Sequence, residues 1–153
     1  MNTTNIVEEK KYVAFKIDEE YYGIDINNVK AIERVQAFTR IPNAPEYVKG
    51  VINLRGEVVP VIDLRKRFGI DCKEIDSDSR IIIVLTNETL IGLLVDSSSE
   101  VMQLNSDSID NPPEIKDNIS DDFVKGVGKK DSKLIILIDI EKVIGYRETE
   151  LIN

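Results

Sequence analysis

The chain has 153 residues, 42% of them hydrophobic, which is enough for one domain of ordinary size. It contains no histidine and one cysteine, so composition excludes a histidine-based catalytic or phosphotransfer site and an internal disulfide framework. The net charge of −8 is uneven: residues 1–70 carry 11 basic and 10 acidic side chains, whereas residues 71–153 carry 9 and 18. The second half therefore lacks the clustered basic charge that attracts nucleic acids and anionic lipids.

The sequence gives no sign of export or membrane insertion. It has no run of 18 apolar residues, and its first residues, "MNTTNIVEEKK", lack the apolar centre of a signal peptide. We therefore expect a cytoplasmic protein that does not insert directly into the membrane.

Strand signals dominate from the beginning of the chain. Val13, Phe15 and Ile17 share one face in "KYVAFKI", and the same period of two continues in "YYGIDI" after an acidic turn. Hairpin turns are expected at Arg55-Gly56 and at Asn87-Glu88. Further strands are predicted in "GVINL", "EVVPVIDL", "RIIIVLT", "TLIGLLVD", "EVMQL" and "KLIILIDI".

Helix signals are few and short. Helical spacing occurs in "VKAIERV", where a strand is the alternative, and proline and glycine bracket a one- or two-turn helix in "APEYVKG". Asp63 is a candidate N-cap for a helix in "DLRKRFG", and "DIEKVIGYRETELI" is a candidate terminal helix. Polar connectors are expected near 70–79 and at 105–122, the second as a long surface loop.

This order of elements predicts a mainly β fold, because many short strands at such spacing are typical of small barrels and sandwiches. Strands do not alternate with long helices, which argues against a parallel α/β sheet and against a response-regulator receiver.

Four apolar runs end in or near an aspartate: Asp25, Asp63, Asp96 and Asp139. Converging carboxylates can bind Mg²⁺ or Ca²⁺. No acidic loop with metal-ligand spacing accompanies these four, so we interpret them as caps of turns and helices and expect no metal and no cofactor.

Two further features carry no chemistry of their own. Gly126 and Gly128 lack the spacing of a phosphate-binding loop and are predicted to lie in a turn. Cys72 lies among charged residues, and its thiol is expected to be exposed.

Arg55 is the remaining candidate, since it lies at the tip of an otherwise apolar hairpin. Its guanidinium is suited to binding a carboxylate or anchoring a protein interface. The alternatives are an ordinary turn residue or an internal ion pair with Glu33 or Glu57.

The stretch "RIPNAPEYVKGVINLRGEVVPVIDLRKRFG" resembles the signature of the CheW-like chemotaxis coupling domain. The likeness extends from "VKAIERV" before it to "RIIIVL", "IGLLVDSSSEV" and "LIILIDIEKV" after it, and covers roughly residues 9–146. The resemblance implies two small five-stranded, SH3-like β-barrel lobes on a shared hydrophobic core, with short helices, in a single domain over 9–146. The lobe connector is expected near 70–79, and residues 147–153 form a tail.

The resemblance also implies a function. The chain ends at Asn153, which leaves no room for a kinase core or a receiver, so a free-standing, non-catalytic adaptor is expected. Its implied partners are the regulatory domain of the histidine kinase CheA and the cytoplasmic tip of transmembrane chemoreceptors, in arrays at the inner face of the membrane. The isolated protein is expected to be a monomer.

Family positions linked to partner binding match six residues of this chain. Arg55 falls on the family arginine linked to receptor coupling, and the others are Val29, Gly50, Ile81, Gly92 and Val101. A family acid proposed to pair with that arginine aligns with Ala31. Glu33 is the nearest acid, and we expect it to have the opposite register in a strand.

Two other classes of function remain as alternatives. A small barrel that binds single-stranded nucleic acid needs basic and aromatic surface, whereas this chain is acidic and has no tryptophan. An enzyme would have to rely on the four aspartates alone.

Overall fold

The computed structural model describes residues 8–111 and 123–145, and strands make up most of these ranges. The strands are β1 Glu9–Ile17, β2 Glu20–Asp25, β3 Val29–Arg34, β4 Val48–Leu54, β5 Glu57–Asp63, β6 Arg80–Thr86, β7 Thr89–Val95, β8 Ser97–Asn105, β9 Ile109–Asp110, β10 Val124–Lys130 and β11 Lys133–Ile138. The helices are α1 Leu64–Arg67 and α2 Ile140–Ile144, with 3-10 turns at Ile26–Asn28 and Ser106–Ser108. No helix in the described ranges is long and apolar enough to cross a membrane.

The strands form two sheets, which define two lobes. The six-stranded lobe has the order β8-β1-β2-β11-β10-β9, and the five-stranded lobe has the order β3-β6-β7-β5-β4. Neighbours pair antiparallel except β2 with β11 and β5 with β7, which are parallel. The predicted mainly β, two-lobed fold is confirmed, although one lobe has a sixth strand of two residues.

Each sheet curls so that its two ends approach each other. In the five-stranded lobe, the chain beyond β3 returns to the far edge, where Thr39 and Val51 exchange backbone hydrogen bonds of 2.9 and 2.8 Å. In the six-stranded lobe, the chain beyond β8 returns as β9 and pairs with β10. The curling encloses an apolar interior in each lobe.

Buried apolar side chains form three clusters. One lies inside the six-stranded lobe and includes Tyr12 and Leu104, and another lies inside the five-stranded lobe and includes Ile81 and Ile83. The largest cluster combines residues of both sheets, such as Phe15 of β1 and Leu93 of β7, and joins the lobes. The expected shared hydrophobic core is therefore present.

The short elements differ in part from expectation. The segment "VKAIERV" forms strand β3 and not a helix, and "APEYVKG" forms a turn in which the Val48 N–H donates to the Pro45 carbonyl (2.9 Å). Helix α1 is confirmed, with the Asp63 side chain as its N-cap. Residues 70–79 connect α1 to β6, both in the five-stranded lobe, whereas the chain changes lobe after β2 and after β7. Most of the predicted 105–122 loop and the tail at 147–153 lie outside the described residues.

Strands β4 and β10 are similar in sequence and in burial. Gly126 and Gly128 lie inside strand β10, not in a turn. The sequences "VKGVINL" of β4 and "VKGVGKK" of β10 have the same burial pattern, and each begins a hairpin whose second strand leads into a capped helix. The two lobes thus repeat one hairpin–helix unit.

Candidate partner-binding site

Arg55 lies in a two-residue turn between β4 and β5. Its φ of 51° and the φ of 90° at Gly56 are both positive, as a tight hairpin turn of this kind requires. The Asn53 side chain accepts the Gly56 N–H at 2.9 Å and stabilises the turn. The Arg55 side chain is 79% exposed, so its guanidinium projects from a well-defined tip.

Glu33 lies beside this arginine. Its carboxylate is 3.7 Å from the Arg55 guanidinium and is 23% exposed. The expected opposite register was wrong, because Ala31 and Glu33 are two residues apart and lie on the same face of β3, with Lys30 and Ile32 on the other. The contact is an exposed ion pair, of a kind that contributes about 0–1 kcal/mol to stability.

Val29 and Val101 lie on different lobes. Val29 begins β3 and packs, half-buried, against the shared core. Val101 is 51% exposed on β8, opposite Val13 of β1. Both are aliphatic side chains, each on a strand at one end of its sheet.

Three of the six family positions are in the interior. Ile81 is fully buried, and a Cβ added at Gly92 would lie 2.7 Å from its Cγ2 atom. Gly50 has a φ of 152°, and a Cβ there would lie 2.6 Å from the Thr39 carbonyl oxygen. Gly50 therefore permits the close approach that joins the two ends of the five-stranded sheet.

The structure thus divides the six positions into two groups and does not bring them into one surface. Arg55 is exposed, and Val29 and Val101 are partly so. Ile81 and Gly92 touch each other inside the five-stranded lobe.

The four aspartates have separate roles. Asp25, Asp63 and Asp139 each accept a backbone N–H within the turn or helix that follows, as predicted. Asp96 instead accepts hydrogen bonds from Arg65 and from the Asp18 N–H. Among the described residues, no three potential ligands of the His, Cys, Asp and Glu types are grouped as a metal site would need.

Arg65 is an important residue that the sequence reasoning missed. It lies on α1, its side chain is 10% exposed, and its Nε and Nη2 atoms donate to the two carboxylate oxygens of Asp96 at 2.9 and 2.7 Å. Burial raises the pKa of Asp96, but hydrogen bonds from Arg65 and from the Asp18 N–H outweigh it and hold the pKa below its usual value. The sequence "DLRKR" places Arg65 in a run of three basic residues, and nothing local distinguishes it from its neighbours Lys66 and Arg67.

Arg67 makes a second link between the lobes. Its Nε donates to the Val143 carbonyl at 2.6 Å. Its guanidinium lies 4.4 Å from the ring centroid of Tyr47 and 4.8 Å from that of Phe123. Tyr47 and Phe123 immediately precede the two "VKGV" repeats, so Arg67 packs between equivalent positions of the repeated unit.

Comparison with known proteins identifies the family. A model of the CheW-like domain matches residues 11–148. The chain belongs to the CheW-like family. It is 35% identical over 148 residues to the chemotaxis protein CheW of Bacillus subtilis, covering 97% of this chain and 95% of the relative. It is 34% identical over 144 residues to the CheW of Klebsiella aerogenes, with coverages of 94% and 87%.

A solved structure agrees. The crystal structure of the scaffolding protein TtCheW from Thermoanaerobacter tengcongensis superposes with a TM-score of 0.85 at 41% identity, covering 94% of this chain and 97% of that one. The resemblance inferred from the sequence is therefore confirmed. The chain is a CheW-type chemotaxis adaptor, and these relatives give no support to a nucleic-acid-binding module.

Proposed function

We propose that this protein couples the cytoplasmic tip of transmembrane chemoreceptors to the regulatory domain of the histidine kinase CheA. The observation that carries the proposal is the match to CheW-type proteins, one of them named a scaffolding protein, along nearly the whole chain. We infer that the chain acts as one domain over residues 9–146. The isolated protein is a cytoplasmic monomer that is recruited to receptor arrays through its partners.

The exposed family positions carry the direct contacts. Arg55 presents five N–H donors in a planar fork, and within residues 8–111 and 123–145 its one ion pair is the weak contact with Glu33. A desolvated carboxylate or backbone carbonyl of a partner would bind this fork more strongly than Glu33 does. Val29 and Val101 add aliphatic surface on the two lobes.

The interior family positions act through packing. Gly50, Ile81 and Gly92 have no exposed surface to offer a partner, but they hold β4 and the interior of the five-stranded lobe in place. Any effect of these three on assembly therefore reaches the partner through the stability of the hairpin and strands that they support.

The adaptor has no catalysis of its own. Histidine is absent from the chain, and in the part of the chain that the structure describes the strands do not alternate with helices as they do in a receiver. We expect no ATP hydrolysis and no stable phosphate transfer from phosphorylated CheA. Stable labelling of an aspartate by phosphorylated CheA would contradict this part of the proposal.

The test is reconstitution from purified components. The chain is mixed with CheA, with a cytoplasmic chemoreceptor fragment, and with both, and each mixture is analysed by size-exclusion chromatography. We expect co-elution with each partner alone, and a single larger complex that contains all three proteins when both partners are present. Elution of the chain as a separate monomer in all three mixtures would refute the proposal, and co-elution with a single-stranded oligonucleotide would favour the nucleic-acid alternative.

A further inference from the structure

Arg65 lies at the junction of the two lobes. It follows strand β5 directly and belongs to α1 of the five-stranded lobe. Its bidentate partner, Asp96, is the residue between β7 and β8, where the chain passes from the five-stranded lobe into the six-stranded lobe. Both side chains are largely buried, at 10% and 12% exposed.

The same guanidinium reaches the six-stranded lobe itself. Its Nη2 atom also donates to the carboxylate of Asp18, in the turn between β1 and β2. The Asp18 N–H donates to Asp96 Oδ2 at 2.8 Å, and the Asp96 N–H donates to the Lys16 carbonyl at 3.2 Å. Nη1 donates to the Asp71 carbonyl at 2.8 Å. One side chain thus joins α1, the connector that follows it, the lobe crossover and a turn of the opposite lobe.

The two kinds of contact between the lobes constrain them differently. The shared core is apolar, and apolar attraction is non-directional, so its packing resists separation of the lobes but specifies the angle between them less sharply than paired hydrogen bonds do. A bidentate arginine–carboxylate pair adds geometric specificity, because two parallel hydrogen bonds fix the plane of the fork. Lysine keeps the charge but cannot reproduce this geometry.

We propose that Arg65 is a positioning residue whose fork sets the relative orientation of the two lobes, and with it the spatial relation between Arg55 on one lobe and Val101 on the other. This orientation is a property of the free protein. Its consequence for coupling rests on the proposed function: a chain with a loosened junction still binds one partner, but it presents the two lobes less accurately to receptor and kinase together.

The test measures the distance between the lobes without any partner. In a Cys72→Ser background, spin labels are attached at Glu57→Cys on the five-stranded lobe and Glu100→Cys on the six-stranded lobe, both exposed positions. Pulsed electron spin resonance then gives the distance distribution. Arg65→Met and Arg65→Lys are compared with Lys66→Met, which removes an exposed cation from the next position of the same helix.

We expect a single narrow distribution for the parent and for Lys66→Met, and a broadened or displaced one for both Arg65 variants. A folded Arg65→Lys with the parent distribution overturns the proposal, and this variant also decides the matter if Arg65→Met does not fold.

In the reconstitution, Arg65→Lys should bind each partner alone nearly as the parent does, yet form the ternary complex at least about tenfold less well. If the parent itself fails to couple, the proposed function fails, whereas the distance result still decides the role of Arg65.

Discussion

The Glu33 carboxylate and the Arg55 guanidinium lie 3.7 Å apart, although β3, which carries Glu33, and β4, which leads into the Arg55 turn, are at opposite ends of the five-stranded sheet. The approach is possible because the chain beyond β3 curls back to pair with β4 through Thr39 and Val51. The Arg55 side chain is exposed to solvent, whereas the Glu33 side chain is mostly buried at the edge of the five-stranded lobe. Arg55 is therefore held at a tight hairpin tip while its guanidinium remains accessible.

Replacing Arg55 by alanine should separate folding from assembly. An exposed substitution changes the free energy of unfolding within about ±0.5 kcal/mol, and we expect this small effect in urea unfolding. Binding to the receptor fragment should weaken by about 2 kcal/mol or more if the arginine anchors the interface. Arg55→Lys should restore little of the binding, because lysine lacks the planar fork.

Glu33→Gln is the matched control for this prediction. It removes the ion-pair partner and leaves the Arg55 fork intact, so it should preserve both stability and receptor binding. If Arg55→Ala instead lowered the free energy of unfolding by about 3–5 kcal/mol, Arg55 would belong to a buried ion pair and its assignment as a partner contact would be wrong.

Gly92→Ala tests whether an interior family position acts through packing. Alanine is normally favoured over glycine within a strand by about 0.5–1 kcal/mol, but here its Cβ would lie 2.7 Å from Ile81 Cγ2. Overpacking should prevail and lower the free energy of unfolding by about 1–3 kcal/mol. Urea unfolding measures the loss, and partner binding should fall only in proportion to the unfolded fraction.

The double variant Gly92→Ala/Ile81→Leu is the control, because leucine has no methyl group on Cβ. The combined loss of stability should be smaller than the sum of the two single losses. A fully folded Gly92→Ala protein that no longer binds its partners would show instead that Gly92 lies at an interface.

Hairpins were the most predictable part of the fold, because alternating apolar residues and turn residues are local signals. The β3 segment was harder. A bulge between Val29 and Ala31 places Val29 and Ile32 on one side of the strand, opposite Val84 and Ile82 of β6. Apolar residues three apart imitate helical spacing, and only pairing with β6 shows that the segment is a strand.

The candidate site was predictable only in part, for a related reason. Family likeness indicated Arg55, and the turn residues placed it at a hairpin tip. Arg65 pairs with Asp96 across 31 positions and with Asp18 across 47, distances at which no local pattern reports a contact. The buried state of Gly50 likewise depends on a segment that returns from the other end of the sheet.

Metal should have no effect on folding. Asp25, Asp63 and Asp139 are each occupied with a backbone N–H of their own turn or helix. Neither EDTA nor added Ca²⁺ or Mg²⁺ should therefore change the melting temperature. A real site at 100 times its Kd would add about 2.7 kcal/mol of stability, so an upward shift of several degrees on adding Ca²⁺ would count against this interpretation.

Acid should remove the stabilisation that the Arg65–Asp96 pair gives the folded protein. Burial works to raise the pKa of Asp96, but hydrogen bonds from Arg65 and from Asp18 prevail, so the pKa in the folded state lies below the ordinary value of about 3.9. As the pH falls past that ordinary value, the unfolded chain binds the proton first. The stabilisation by Asp96 is therefore complete at neutral pH and is lost as the pH falls through the folded-state pKa.

The measurement is the free energy of unfolding of the parent and of Asp96→Asn, by urea, at pH 7 and near pH 3. Asparagine cannot ionise, so the parent should be clearly more stable at pH 7, and the difference should shrink in acid. Asp107→Asn, at an exposed position of the 3-10 turn after β8, is the control, and it should change the free energy of unfolding only slightly, within about ±0.5 kcal/mol. A difference for Asp96→Asn that is equally large at pH 3 would mean that the carboxylate charge is not what stabilises the junction, and that the shape of the side chain alone matters there.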